Sequence, residues 1–337
     1  MQTKAQLVTN RQIEFGTFHQ AIETVNLIDA KTNPNFPTPR WWRNLRLKEF
    51  QAVQGGNERF FYNIALFNAK LSAFAQVRVF DILREKHYVY EQQLIPTQLN
   101  IPDNVLNSIN SFSNKKIDIR IENKLRENRI TVKFKVLKNK EIPAIEGQVH
   151  GNFTNSEHLV ASVPFGENHG MYAHKNIVPM HGFLRINEDH HEFKKKQSFF
   201  ILDDHKGYYP YRLKWDWITA AFIDERGLIG LNLTKNQSID GEKYNENALW
   251  LGGKIHRLPA ITFDRNGDIW TIKDKQGRVN LTFHALYPKA VKINLGPLGA
   301  SDCEGPFGRI SGDVFIDNQK ITFDNIFAFA ERMYIRC

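Results

Sequence analysis

The chain has 337 residues, 42% of them hydrophobic, which is enough to bury a sizeable core and more than one domain usually holds. Its formal charge of +9, from 45 Lys and Arg against 36 Asp and Glu, is scattered, and only Lys194, Lys195 and Lys196 form a basic block. That pattern argues against nucleic acid as a partner, because a nucleic-acid binder gathers its charge on one face.

Cys303 and Cys337 give neither a metal-ligand spacing nor a disulfide framework. The first residues lack a basic segment followed by an apolar one, and no apolar run is long enough to span a membrane as a helix. The expectation is a cytoplasmic protein without stable membrane insertion. Its oligomeric state is not readable from the chain.

The 25 Phe, 10 Tyr and 6 Trp favour strands, whose pleated faces pack aromatic side chains well. In chain order, "RFFYNIALFNA" places Phe60, Tyr62, Ile64 and Leu66 on one face, and "FAQVRVFDI" and "HYVYEQQLI" follow. "IPDNVLNSINSF" reads as a short helix, with Asp103 as N-cap and Leu106, Ile109 and Phe112 at helical spacing. "KIDIRIEN" and "RITVKFKVL", joined by "KLREN", read as a hairpin.

The second half repeats the style from "SFFILDD" to "QKITFDNIFAFAERM", with tight connections at "FDRNGDIW", "KDKQGRVNL" and "IDNQKITF". So many strands with so little helix argue for an all-β chain of antiparallel barrels or sandwiches. "RLKEFQAV" at Arg46 and "RLKWDWIT" at Arg212 stand about half a chain apart and favour two related barrels packed against each other. No flexible linker marks the boundary, which is placed near residue 150, giving domains 1–150 and 151–337.

Chemistry-bearing residues concentrate in the middle of the chain. Eight of the twelve histidines fall between His150 and His205, without the convergent spacing of a zinc site, so no metal is expected. "VPFGENHGMYAHKNIVPMHG" reads as a loop whose His169, Tyr172 and His174 either line a binding site or satisfy backbone groups. In "DDHKGYYPYRLKWDWITAA", Asp203, Asp204 and His205 read as a turn, with Tyr208 and Tyr209 beside Pro210. A carboxylate near an imidazole suits acid or base catalysis, and equally caps a turn.

In the strand that follows, Leu213, Trp215, Trp217, Thr219 and Ala221 share one face, and Arg212, Lys214, Asp216 and Ile218 the other. Which face looks into a barrel stays open. "LTKNQSIDGEKYNENALW" adds Asn236, Asn245, Glu246 and Asn247 before Trp250, either a hydrogen-bonded floor for a polar ligand group or a long loop with Asx turns. No nucleophile elbow, P-loop or dinucleotide fingerprint is present, so no cofactor is expected.

"RLKEFQAVQ", "ALFNAK", "MYAHK", "LDDHKGYYPYRLKWDW", "NLTKNQSID" and "YNENALW" together resemble the bacterial family known only as domain of unknown function 2804. That family is similar to the carotenoid hydratase and hydroxyneurosporene synthase group. The resemblance implies two tandem lipocalin-like antiparallel β-barrels with few short helices.

It also implies a barrel pocket that binds an apolar or amphipathic small molecule, such as an isoprenoid, lipid or polyketide, with hydration or cyclisation as the chemistry expected if the pocket is catalytic. In such chemistry a carboxylic acid kept protonated by an apolar pocket protonates a double bond, and aromatic faces stabilise the cation. Asp204, Asp216 or Glu246 would supply the acid, with Tyr208, Trp215, Trp217 and Trp250 as walls. No motif of those enzymes aligns with this chain residue by residue, so these roles are inferred and not carried over. The competing classes are a carbohydrate-binding or glycoside-acting protein and a non-catalytic β scaffold.

Overall fold

The computed structural model describes residues 2–33, 37–166, 169–286, 290–294, 300–317 and 319–336. The chain divides into two compact units, Met1–Ser162 with Asn168–Tyr208, and Val163–Glu167 with Tyr209–Cys337. Each is built on one large antiparallel sheet that curls into a half-barrel, so the all-β class of two tandem lipocalin-like barrels holds. A cut at residue 150 falls inside the strand Ile145–Asn152, and the strands His169–Ile186 and Phe199–Gly207 lie in the first unit.

The first sheet runs, neighbour to neighbour, Asn107–Ser113, Ile117–Lys124, Arg129–Val136, Ile145–Asn152, His169–Ile186, Phe199–Gly207, Lys48–Gly56, Phe60–Asn68, Ala73–Asp81 and Lys86–Leu94. Phe60, Tyr62, Ile64 and Leu66 share the buried face as their alternation dictates. They pack with Val53, Ile119, Ile121, Val132, Phe134, Phe200 and Leu202 in one core. The expected hairpin is present, with Ile117 opposite Val136, and Asn128 in the left-handed region (φ 55°) closes its turn.

The segment read as a helix from Asp103 is instead the strand Asn107–Ser113. Asn104 Oδ1 accepts the backbone N–H groups of Leu106 (2.6 Å) and Asn107 (3.1 Å), a turn that launches a strand. Asn110 and Phe112 point inward while Ile109 is 46% exposed, so the apolar three-residue spacing was misleading. Among the described residues the α-helix is Arg40–Arg46, "RWWRNLR", none of whose residues is buried. That sequence carries neither a side-chain N-cap nor an apolar stripe, the signals a helix normally gives.

Residues near the N-terminus pack on one end of the first sheet. Thr3–Gln6 pairs in parallel with Ala21–Thr24, and Gly16–Phe18 pairs with residues 160–162. Leu7, Val8, Ile22, Val25, Leu27 and Ala30 bury themselves against Leu47, Val160, Tyr172 and Tyr208. Asn26 acts as a substitute strand: its Oδ1 accepts the Val8 N–H (2.9 Å) and its Nδ2 donates to the Val8 carbonyl (3.1 Å).

The second sheet runs Lys254–Arg257, Ala248–Leu251, Gly227–Lys235, Arg212–Asp224, Gln319–Arg336, Phe307–Ile316, Val279–Leu286, Ile269–Asp274 and Ile261–Asn266. Its core includes Ile218, Ala220, Leu231, Leu249, Trp270, Phe283 and Phe323. The connections foreseen at Gly267 (φ 60°) and Gly277 (φ 76°) are tight turns between paired strands. The third joins Ile316 to Gln319, and its Asn318 lies outside the described residues. No helix among the described residues is long and apolar enough to cross a membrane.

Candidate functional site

The stretch read as a loop from Val163, leaving aside residues 167 and 168, which are outside the described residues, is largely the strand His169–Ile186. Asp203, Asp204 and His205, read as a turn, belong to the strand Phe199–Gly207. Polar residues in both stretches hid the period of two, because here the buried face changes from apolar to polar along the same strand. Phe200 and Leu202 lie in the core, and Asp204 and Lys206 continue that face.

Register then fixes the neighbours. Asp204 stands between His174 on one side and Gln51 on the other, and Lys206 stands between Tyr172 and Glu49. All six side chains are nearly or wholly inaccessible to solvent. Gln51 Nε2 donates to Asn123 Oδ1 (3.0 Å), and Gln51 Oε1 accepts from Asn110 Nδ2 (3.3 Å). Four strands separate Gln51 from Asn123 along the sheet, so these bonds cross the barrel interior. The result is a polar belt at one end of an otherwise apolar lumen, at the end where Tyr172 meets the N-terminal segment. Lys206 Nζ donates to the Pro102 carbonyl and lies 3.8 Å from Glu49, which also pairs with Lys70.

Burial raises the Asp204 carboxyl to about 6 against the opposing pull of Lys206 and His205. Among the described residues its buried Oδ2 has no hydrogen-bond partner. His174, fully buried, is held at both ring nitrogens: Nδ1 is 3.1 Å from the Tyr172 hydroxyl and Nε2 is 2.8 Å from His158 Nδ1. Burial keeps both imidazoles neutral, His158 being lowered to about 4 and His174 well below its usual range. Burial, aided by Asp204, raises the Tyr172 hydroxyl far above the usual range.

Of the other candidates in this unit, Tyr208 is buried beside Tyr172, and burial raises its hydroxyl. His169 opens its strand half-buried, lowered by burial and by Arg46. His205 lies on the opposite face from Asp204, where its Nε2 is 2.7 Å from Asp203 Oδ1. The same oxygen is 2.8 Å from Lys175 Nζ, and both Asp203 and Lys175 are buried. Burial raises Asp203, but Lys175 and His205 outweigh it and hold the carboxyl below its usual range.

The remaining candidates belong to the second unit. On Arg212–Asp224 the charged row shares the face of core residues Ile218 and Ala220, and the tryptophans take the other face. Asp216 pairs with Arg265 and stands between Lys235 and Arg332 in register; Arg332 in turn bonds Asp302 (2.7 Å) and Glu304 (3.1 Å). This is a ladder of alternating charge. Burial raises Asp216, with Arg265 opposing. Lys214 Nζ lies 5.4 Å from the centre of the Tyr334 ring.

Trp215 Nε1 donates to Glu331 (3.2 Å), and Trp217 Nε1 donates to Asn232 Oδ1 (2.7 Å) while its ring packs edge-on against Phe329. Tyr209 packs on Phe165. Asn236 accepts the Ser238 N–H. Asn245 accepts the Asn247 N–H (3.0 Å), and Asn247 bonds the Thr234 N–H (2.7 Å) and the Pro259 carbonyl (2.8 Å). Glu246 and Trp250 are buried, and Glu246 counters the fall that burial imposes on Arg257.

Thus Tyr172, His174 and Asp204 come together inside the first unit. Sequence reasoning missed Glu49, Gln51, Asn110, Asn123 and Lys206 beside them, and His158 behind them. Glu49 and Gln51 left one trace, polar residues at alternate positions of a strand that continues inward as Val53. An open cleft of ≈ 510 Å³, lined by Tyr90, Gln92, Asn114 and Lys116 among others, contains none of the predicted residues. Among the described residues no group of three or more His, Cys, Asp or Glu side chains is placed to hold a metal ion.

A family model described as a domain of unknown function, DUF2804, matches residues 3–337. The chain belongs to the DUF2804 family. The resemblance drawn from the motifs is therefore correct, and this family member matches no curated protein sequence. Solved structures resemble it, two of them over nearly its whole length. CghA, crystallised with Sch210972, shares 11% identity at a TM-score of 0.55, covering 99% of this chain and 97% of that one. Kievitone hydratase from Nectria haematococca shares 10% identity at a TM-score of 0.45, covering 99% and 98%. CghA shares the fold across the length of this DUF2804 chain.

Proposed function

We propose that the first unit binds an apolar or amphipathic small molecule at its polar belt and that Asp204 acts on it as a carboxylic acid. The observation that carries the reading is Asp204 itself: a fully buried carboxyl, raised to about 6, with one oxygen lacking a partner and apolar core on the same strand face. A carboxylic acid in such surroundings stays protonated closer to neutrality and can give its proton to carbon.

In a hydration, the Asp204 proton adds to one carbon of a double bond and water attacks the other. The water's surplus proton returns to the Asp204 carboxylate. In a cyclisation, a second double bond of the same molecule takes the place of water, and loss of a proton to Asp204 completes the step. The Tyr172 ring is the aromatic wall that stands near the developing cation. That CghA was crystallised with Sch210972 supports a small-molecule ligand for this fold.

Native mass spectrometry and solvent extraction of protein purified from its own host test the reading, together with carboxyl-carbon NMR titration of Asp204. A co-purifying apolar compound and a midpoint near 6 support it. Absence of any bound compound together with titration near 4 sinks it.

For the second unit a non-catalytic role is favoured. Trp217, Asn245 and Asn247 spend their polar groups on Asn232 and on backbone, which leaves them tying strands and loop together.

A further inference from the structure

His158 is the one member of the buried imidazole pair that reaches toward solvent. It precedes the strand Leu159–Gly166, is half-buried, and stacks on Phe153 with ring centroids 5.3 Å apart and planes 11° from parallel. Behind it the wholly buried His174 is bonded at both nitrogens, and Asp204 is its partner in register.

A neutral imidazole has one N–H and one bare nitrogen, so the row His158, His174, Tyr172 has only two consistent proton orders. In one, Tyr172 O–H donates to His174 Nδ1, His174 Nε2–H donates to His158 Nδ1, and His158 carries its proton on Nε2. In the other, His158 Nδ1–H donates to His174 Nε2, His174 Nδ1–H donates to the Tyr172 oxygen, and His158 Nε2 is bare. A proton taken up at that bare nitrogen and passed inward, one bond at a time, converts the second order into the first. One proton enters at His158, the Tyr172 hydroxyl gives up its own proton to the Asp204 carboxylate as it takes the one from His174, and no charge is left on either ring.

We infer that His158 is a positioning residue that connects the buried acid site to solvent protons through His174. The inference rests on reading Asp204 as the acid, since it gives that site a route by which its proton is exchanged while the N-terminal segment stays in place. The packing fits this use: Phe153 fixes the His158 ring, and the lowered imidazoles keep the row neutral and ready to switch order.

The test is ¹⁵N NMR of the full chain labelled at histidine, following the His174 ring N–H and its exchange with solvent. His158→Asn keeps a hydrogen-bonding group near the position of Nδ1 but cannot pass a proton through. The expected result is an unchanged His174 tautomer with exchange at least about tenfold slower, because the buried N–H must then wait for local opening. His158→Gln serves as the second variant should the first fold poorly. Exchange that is unchanged or faster in a folded variant overturns the inference, since a merely structural His158 would loosen the site and not close it. The two readings are judged separately: titration of Asp204 near 4 in the parent chain defeats the acid role, whereas the exchange result on His158 judges the relay alone.

Discussion

Asp203 and Asp204 are adjacent in sequence, and their carboxyls lie on opposite faces of one strand with opposite fates. Asp203 sits between Lys175 and His205 and is held ionised; Asp204 faces the barrel interior and is raised to about 6. Backbone alternation sets up the difference, because a strand sends neighbouring side chains to opposite faces and so to different neighbours.

Stability should depend on Asp204 in a defined pH window. Its folded value is raised above 3.8, so its favourable contribution is complete below about 4 and is lost as pH rises through about 6. A shift of about two units corresponds to about 3 kcal/mol. Urea unfolding of the parent and Asp204→Asn at pH 4 and pH 8 should show the parent losing that much relative to the variant. A gap independent of pH would contradict the burial argument.

On the other face, Asp203→Asn leaves the Lys175 ammonium buried beside a neutral amide. The cost should be about 3–5 kcal/mol, the range for removing one partner of a buried ion pair. Lys175→Met combined with Asp203→Asn should recover most of it. A double-mutant cycle by chemical denaturation reads the coupling, and additive losses would show that the pair does not act as a unit.

The N-terminal segment should protect the polar belt. Leu27 is 1% exposed in the cluster with Tyr172 and Tyr208, so Leu27→Ala should cost about 2–5 kcal/mol. Hydrogen exchange of the backbone around Tyr172 should quicken in that variant, while the strands of the second unit stay unchanged. Uniform loss of protection would mean that the segment does not act as a local cover.

In the second unit, Trp217→Phe keeps the ring and removes the N–H that Asn232 accepts. The expected loss is about 1–3 kcal/mol, with Asn232 left unsatisfied in a buried place. Binding of any compound found with the parent should be unaffected. A variant that keeps its stability but loses the compound would return Trp217 to the ligand site.

Much of the fold was legible because apolar alternation is strong where one face is buried, as in Phe60 to Leu66 and the Ile117 hairpin. It failed where the buried face turns polar. Asn110 inside the barrel made Leu106, Ile109 and Phe112 look helical, and Asp204 and Lys206 made the end of a central strand look like a turn. The family was legible from separated motifs, and Asp204, His174 and Tyr172 were named as candidates. What brings them together was not legible, because Gln51 meets Asn123 across 72 positions and His158 meets His174 across 16. Single-sequence patterns report periodicity along a strand and carry no information about which strands become neighbours across a lumen.

The strand order also dictates how this unit is assembled during synthesis. Phe199–Gly207 lies mid-sheet, between Lys48–Gly56 and His169–Ile186, although it is the last strand of the unit to leave the ribosome. Until it arrives, the strands from Lys48 to Leu94 share no backbone pairing with those from Asn107 to Ile186. Folding of the unit must therefore wait for nearly two-thirds of the chain, and a fragment ending near residue 150 would be left with two unjoined hairpin runs and exposed edges open to aggregation.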